Sequence, residues 1–123
     1  MEKVKVLLCE DNKLTQRLLE VTLKKLNFDI VVAANGEQGI RFLKEEDIKL
    51  IITDINMPYN NGLEIVEFVR KNFNEKIPVI IVSGINLEET QALAAELGAD
   101  EYFTKPFDPV ELVRAVKKLG VCN

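Results

Sequence analysis

Apolar and polar positions alternate in blocks along the chain, and the blocks have two different periods. Val4-Lys5-Val6-Leu7-Leu8-Cys9, Asp29 to Ala33, Ile48 to Thr53 and Ile77 to Val82 are short apolar runs of strand length. Between them lie longer stretches with helical spacing. Lys13 to Leu26 places Leu19, Leu23 and Leu26 on one face at i, i+4, i+7, and Asn27 ends it as a left-handed cap would. Asn35-Gly36 is a turn signal before a helix from Glu37 to Lys44. Gly62 to about Phe73 turns Val66, Val69 and Phe73 inward. Glu88 to Leu97 is an alanine-rich helix stopped at Gly98, and Glu101 to Thr104 is a short fifth strand. Asp108 caps a last helix with Pro109 at its first position and Leu112, Val116 and Leu119 on its core face.

The pattern is strand-helix repeated five times. Uninterrupted apolar strands such as Val79-Ile80-Ile81-Val82, joined by amphipathic helices, imply a parallel sheet covered on both faces. Right-handed crossovers leave few topologies, and the expected one is an α/β fold of five parallel strands in the flavodoxin-like order 2-1-3-4-5. At 123 residues the chain is expected to be one domain, 1–123, with no linker or internal repeat.

Composition narrows the function. A net charge of −4 and a pI near 5.0 argue against direct nucleic-acid binding. No apolar run approaches the ~20 residues that span a bilayer, and the N-terminus shows no signal-peptide cleavage pattern. Cys9 and Cys122 are too far apart in sequence for a metal motif, and read as one buried and one tail thiol in a reducing, cytoplasmic setting. With no histidine, chemistry must run on carboxylates, hydroxyls or lysines.

Candidate chemistry gathers where the strands end. In open α/β sheets, sites form at the carboxyl ends of the strands, near the point where strand order reverses. The first strand ends in Glu10-Asp11, the third in Asp54, the fourth in Ser83-Gly84 and the fifth in Lys105-Pro106. In the expected order the first and third strands are neighbours, so three carboxylates share a crevice with a hydroxyl and an ammonium close by. Three carboxylates repel unless a cation joins them, and an all-oxygen set suits a hard ion such as Mg²⁺. A carboxylate beside a divalent ion, a hydroxyl and a lysine matches phosphoryl transfer, with Asp54 as nucleophile.

Taken singly, each residue has a simpler explanation. Glu10-Asp11 can cap the first helix, Asp54 can form an Asx-turn, Ser83-Gly84 can open a loop, Lys105 can be a surface residue and Tyr102 a half-packed strand residue. Their convergence on one end of the sheet is what turns and caps do not supply.

These residues carry a family resemblance. The chain resembles, over its full length, a receiver domain of a two-component response regulator. Glu10-Asp11 match the family's acidic pair, although Asp-Asp is also common there. Asp54, Met57-Pro58 and Gly62 match the phosphoacceptor and the residues that follow it. Ser83 matches the Thr or Ser after strand four, Lys105-Pro106 the Lys-Pro after strand five, and Tyr102 the aromatic three residues before that lysine. The resemblance implies a phosphorylation-activated switch rather than a conventional enzyme. It implies phosphoryl supply from a sensor histidine kinase or histidine phosphotransfer protein, Mg²⁺ or Mn²⁺ held by Glu10, Asp11, Asp54 and the backbone carbonyl of Asn56, and a cis bond before Pro106. Ser83 and Lys105 would contact the phosphoryl group. Ser83 would then move toward it and Tyr102 inward, remodelling the face of helix four, strand five and helix five. Ile85 and Leu87, two apolar residues expected to be exposed, would form with Gln91 and Tyr102 an output face for a downstream effector or a second receiver, so that phosphorylation could produce a homodimer.

Other classes fit less well. A phosphatase of the haloacid dehalogenase type also uses Asp, Mg²⁺, Ser or Thr and Lys, but its nucleophile follows the first strand and a second Asp two residues on acts as acid; here that position is Asn56. Flavodoxin-like FMN binding calls for a phosphate loop after the first strand, where Glu10-Asp11-Asn12-Lys13 would repel phosphate. A receiver-shaped interaction module that turns over no phosphate would not call for the complete residue set.

Overall fold

The computed structural model describes residues 3–122. Ten elements alternate: β1 (Lys5–Cys9), α1 (Lys13–Lys24), β2 (Asp29–Ala33), α2 (Gly36–Glu45), β3 (Ile48–Thr53), α3 (Gly62–Asn72), β4 (Val79–Ser83), α4 (Glu88–Leu97), β5 (Glu101–Thr104) and α5 (Pro109–Lys118). All strand pairs are parallel and the order is β2-β1-β3-β4-β5, as the pattern predicts.

The period of two along each strand divides the core into two layers. Val6, Leu8, Leu50, Ile52, Ile80 and Val82 face α1 and α5, where they meet Leu19, Leu23, Leu112 and Val116. Leu7, Cys9, Ile51, Val79 and Ile81 face the other side and meet Leu43 of α2, Ile65, Val66 and Val69 of α3 and Ala94 of α4. The central strands are buried on both faces, which is why their sequences are continuously apolar.

Boundaries differ from the sequence expectation by a residue at β1, α2 and α3, and by more at β4 and α1. β4 begins at Val79 rather than Ile77, because Pro78 has no N–H for the ladder; its carbonyl instead accepts from the Ile51 amide at 3.0 Å. It extends to Ser83, which pairs with Thr104. α1 stops at Lys24, and two tight bonds, Leu26 N to Leu23 O and Asn27 N to Lys24 O, carry the chain to Asn27 in the left-handed region, φ 64°.

Helix starts are set by side-chain caps. Asn12, Asn35, Asn61 and Asp108 accept from backbone N–H groups of α1, α2, α3 and α5, and Asn61 completes a reciprocal capping box with Glu64. α4 differs. Its N-cap, Leu87, makes no side-chain cap bond, and of its residues Ala94 is the buried one. Its other end is clamped. The Arg70 guanidinium donates to the Gly98 carbonyl from Nε (3.1 Å) and Nη2 (2.7 Å), to the Ile77 carbonyl (2.8 Å) and to Asp100 (3.1 Å).

Candidate functional site

The carboxyl ends of β1, β3 and β5 meet in an acidic pocket. One carboxylate oxygen each from Glu10, Asp11 and Asp54 lies within 4.8 Å of the others. Glu10 and Asp54 are 1% and 7% exposed, whereas Asp11 is open to solvent. The lysine after β5 closes the group: Lys105 Nζ lies 2.8 Å from Asp54 Oδ2 and 2.7 Å from Glu10 Oε1.

Each acid is placed by its backbone. The Glu10 amide donates to the Ala33 carbonyl, and the Asp54 amide to the Cys9 carbonyl, both at 3.0 Å, so the two acids extend the ladder just beyond the strands. Asp54 Oδ1 accepts from the Ile55 N–H at 2.6 Å, and the Thr53 hydroxyl donates to the Asp54 carbonyl at 2.8 Å. Glu10 Oε2 accepts from the Asn12 N–H at 3.1 Å. The cap of α1 is Asn12, whose Oδ1 accepts from Thr15, so capping does not account for Glu10-Asp11. Nor is Asp54 an ordinary Asx-turn, since its carboxylate takes the next residue's N–H rather than one two residues on.

The loop after β3, which carries Asn56, is packed from below. Gly36, the first residue of α2, donates to the Pro58 carbonyl at 3.3 Å, and a Cβ there would lie 1.5 Å from the Asn60 carbonyl oxygen. Only glycine allows that approach. Tyr59 in the same loop is exposed with φ 65°, a conformation that costs a non-glycine residue about 1 kcal/mol or more. Asn56 is exposed.

Electrostatics follow the burial. Desolvation pushes the Glu10 carboxyl above its ordinary value and Asp54 adds to the push, against the opposing pull of Lys105 and the Asn12 N–H. Burial works against the Lys105 ammonium, but Asp54 and Glu10 outweigh it and hold its pKa above the usual lysine value. Glu10 Oε1 is fully buried, with the Lys105 ammonium 2.7 Å away as its ion-pair partner. Three convergent carboxylates, two of them buried, with no nitrogen or sulfur ligand in the set, fit a hard divalent cation.

Ser83 and Tyr102 meet at one residue, Ile85, on the two peptides that flank it. Ser83 is fully buried and its Oγ accepts from the Ile85 N–H at 3.1 Å; the Tyr102 hydroxyl donates to the Ile85 carbonyl at 2.7 Å. The loop between β4 and α4 is thus held by one group from the end of β4 and one from β5. The expectation that Ile85 is exposed is corrected: it is half-buried and packed against the core layer under α3 and α4, because both polar groups of its backbone are tied down. Leu87 is 56% exposed as expected, and Gln91 and Tyr102 line a shared shallow groove beside α4. The Lys105–Pro106 bond is cis. Next to the pocket, Leu14, Thr15, Leu18, Lys105, Pro106 and Phe107 line a groove of about 320 Å³.

The profile of the response regulator receiver domain matches residues 6–117. The chain belongs to that family. It is a signalling domain of two-component response regulators rather than a member of a conventional enzyme family. The receiver domain of the Francisella response regulator 1452 is 30% identical and superposes with a TM-score of 0.86 over 94% of this chain and 95% of that one. The receiver domain of the sensor histidine kinase PA1611 from Pseudomonas aeruginosa is 25% identical, with a TM-score of 0.85 over 98% of this chain and 100% of that one; its structure has a magnesium ion coordinated in the active-site cleft. Chemotaxis protein CheY4 of Vibrio cholerae shares the fold at 24% identity and a TM-score of 0.85, covering 95% of this chain and 98% of that one. Among the described residues of this receiver, no helix is long and apolar enough to cross a membrane.

Sequence reasoning missed Gln16. It is buried on α1, and its side-chain amide donates to the Glu10 carbonyl. It lies on the core face of an amphipathic helix, where a glutamine at a position of apolar period is the one signal that could have found it. Cys9 and Cys122 are free thiols, buried and exposed respectively, as expected.

Proposed function

We propose that this receiver domain takes a phosphoryl group onto Asp54 from the phosphohistidine of a sensor histidine kinase or histidine phosphotransfer protein. A carboxylate oxygen of Asp54 forms the new bond to phosphorus as the N–P bond breaks, and the electron pair leaves with the imidazole nitrogen. Glu10, Asp11, Asp54 and the Asn56 carbonyl would hold Mg²⁺, or Mn²⁺ in its place. When bound, the cation neutralises charge on the phosphoryl oxygens. Lys105 neutralises another oxygen, exchanging its contact with Asp54 for one with the phosphoryl group, and Ser83 donates to a third. The observation that carries this reading is the lysine bridged between two buried acids, Lys105 to Asp54 at 2.8 Å and to Glu10 at 2.7 Å, beside an exposed third acid.

The output follows from the backbone of Ile85. A Ser83 hydroxyl drawn toward a phosphoryl group gives up the Ile85 N–H, which it now holds at 3.1 Å. The Tyr102 contact to the carbonyl of the same residue then reorganises, and α4, uncapped at Leu87, shifts with it. The face including Ile85, Leu87, Gln91 and Tyr102 changes and controls a downstream effector or a second receiver, giving a homodimer in the latter case. The donor seats on Leu14 and Leu18, since their groove shares Lys105 with the pocket.

Acetyl phosphate with Mg²⁺ tests the reading. One base-labile phosphoryl group is expected on the wild-type chain and none on Asp54→Asn. Labelling of that variant to wild-type extent removes Asp54 as the acceptor. Beryllofluoride with Mg²⁺ should shift amides as far as residues 85–91 and 102; shifts confined to the pocket refute the output mechanism.

A further inference from the structure

α1 buries Gln16, Leu19, Thr22 and Leu23. The leucines belong there by amphipathicity, and Thr22 satisfies its hydroxyl within the helix, on the Leu18 carbonyl at 2.8 Å. Gln16 does something else. Its amide leaves the helix and donates to the carbonyl of Glu10, at the end of β1. A buried amide and a buried carbonyl are each costly without a partner, so this bond is strongly held.

Its position gives it a consequence for the acids. The carbonyl of Glu10 lies in the rigid, planar peptide that joins Glu10 to Asp11. The Glu10 N–H is tied to Ala33 and Glu10 Oε2 to the Asn12 N–H. Gln16 adds the third restraint, and it acts on the plane between the two acids. Glu10 is buried and held by its own contacts, but Asp11 is exposed, so that plane restrains the backbone from which its side chain departs.

We infer that Gln16 is a positioning residue for the cation: it locks the Glu10–Asp11 peptide so that both carboxylates face Asp54 before any ion arrives. This inference rests on the metal site of the proposed function and adds a residue that touches neither the ion nor the phosphoryl group. Preorganised ligands bind more tightly because less ordering remains to be done on binding.

The test is a Mg²⁺ titration of the full chain, followed by amide shifts at residues 10–12 and 54–57, with thermal unfolding measured in parallel. Gln16→Met keeps the length and packing of the side chain and removes the donor. It is expected to weaken Mg²⁺ binding at least fivefold, and to move the Asp11 amide in the metal-free protein. Thr22→Val, which changes a buried polar group on the same helix face, should alter stability while leaving Mg²⁺ affinity within twofold. A Gln16→Met affinity within twofold of wild type overturns the inference, and so does an equal weakening in Thr22→Val, which would mean general loosening of α1. In the unmodified protein the Gln16 side-chain amide should exchange with solvent far more slowly than an exposed glutamine, and fast exchange also overturns it, whether or not the variant folds. A wild-type chain that shows no Mg²⁺ response at these amides defeats the metal reading itself and the inference with it, an outcome distinct from an intact wild-type response that Gln16→Met leaves alone.

Discussion

Replacing Lys105 with Met removes one positive charge and keeps the aliphatic stem. The structure sets the size of the effect. Nζ sits 2.7 Å from Glu10 Oε1 and 2.8 Å from Asp54 Oδ2, and both acids are almost fully buried. Removing one partner of a buried ion pair costs about 3–5 kcal/mol, because the remaining charge is left uncompensated. Lys105 is itself 23% exposed, so water reaches part of the vacated space and the loss should fall to about 2–3 kcal/mol, a discount for solvent screening. For a domain of this length, ~3–5 °C of Tm accompany each kcal/mol, so the midpoint should drop by ~6–15 °C at neutral pH.

The pH dependence carries the sharper test. Burial already raises the Glu10 carboxyl above its ordinary 4.5, so the folded protein keeps that proton to higher pH than the unfolded chain does. Stability therefore falls as pH rises from 4.5 through the raised folded value. Without Lys105 the folded value climbs further and the fall becomes steeper. Wild type and Lys105→Met should accordingly converge as pH approaches 4.5, where Glu10 takes up its proton. Millimolar Mg²⁺ should also raise the variant's Tm more than the wild type's, since a cation replaces the missing charge. Thermal unfolding by circular dichroism across this range, with and without Mg²⁺, is the assay. A Tm deficit that is the same at both ends of the range, and untouched by Mg²⁺, would refute the electrostatic account and leave only lost packing.

Gly62→Ala should destabilise by about 2 kcal/mol or more and weaken Mg²⁺ binding, because the added Cβ would lie 2.1 Å from the Asp54 carbonyl oxygen; chemical denaturation and a Mg²⁺ titration check both halves. Arg70→Ala removes four contacts that clamp the end of α4 to α3 and to the segment before β4, and should lower stability by about 2–3 kcal/mol while speeding hydrogen exchange of the α4 amides and leaving Mg²⁺ affinity unchanged. A thiol reagent at neutral pH should label Cys122 and spare Cys9, whose burial pushes its thiol pKa up to about 12; mass spectrometry of the native protein would detect a second adduct if this is wrong.

The sequence by itself determined the elements, their order and the family. Those features depend on short-range rules: an apolar run with no break makes a doubly buried strand, Asp108 before a helical period makes a cap, and Gly98 and Asn27 end what precedes them. The site acids were also legible, because parallel strands bring all their carboxyl ends to the same edge of the sheet, and polar residues just past apolar strands gather there. The tertiary structure alone decided which of those residues touch. Lys105 and Asp54 are 51 residues apart, Arg70 and Gly98 are 28 apart, and Tyr102 and Ile85 are 17 apart. No local propensity ranks one such pairing above another. That is why Ile85 reads as an exposed loop residue until its backbone is seen tied between Ser83 and Tyr102, and why Gln16 reads as an ordinary helix polar residue until the end of β1 is laid against it. Local sequence sets what each segment prefers; desolvation makes a buried polar group take whichever partner the packed crossovers bring within reach, and that choice exists only once the layers have closed.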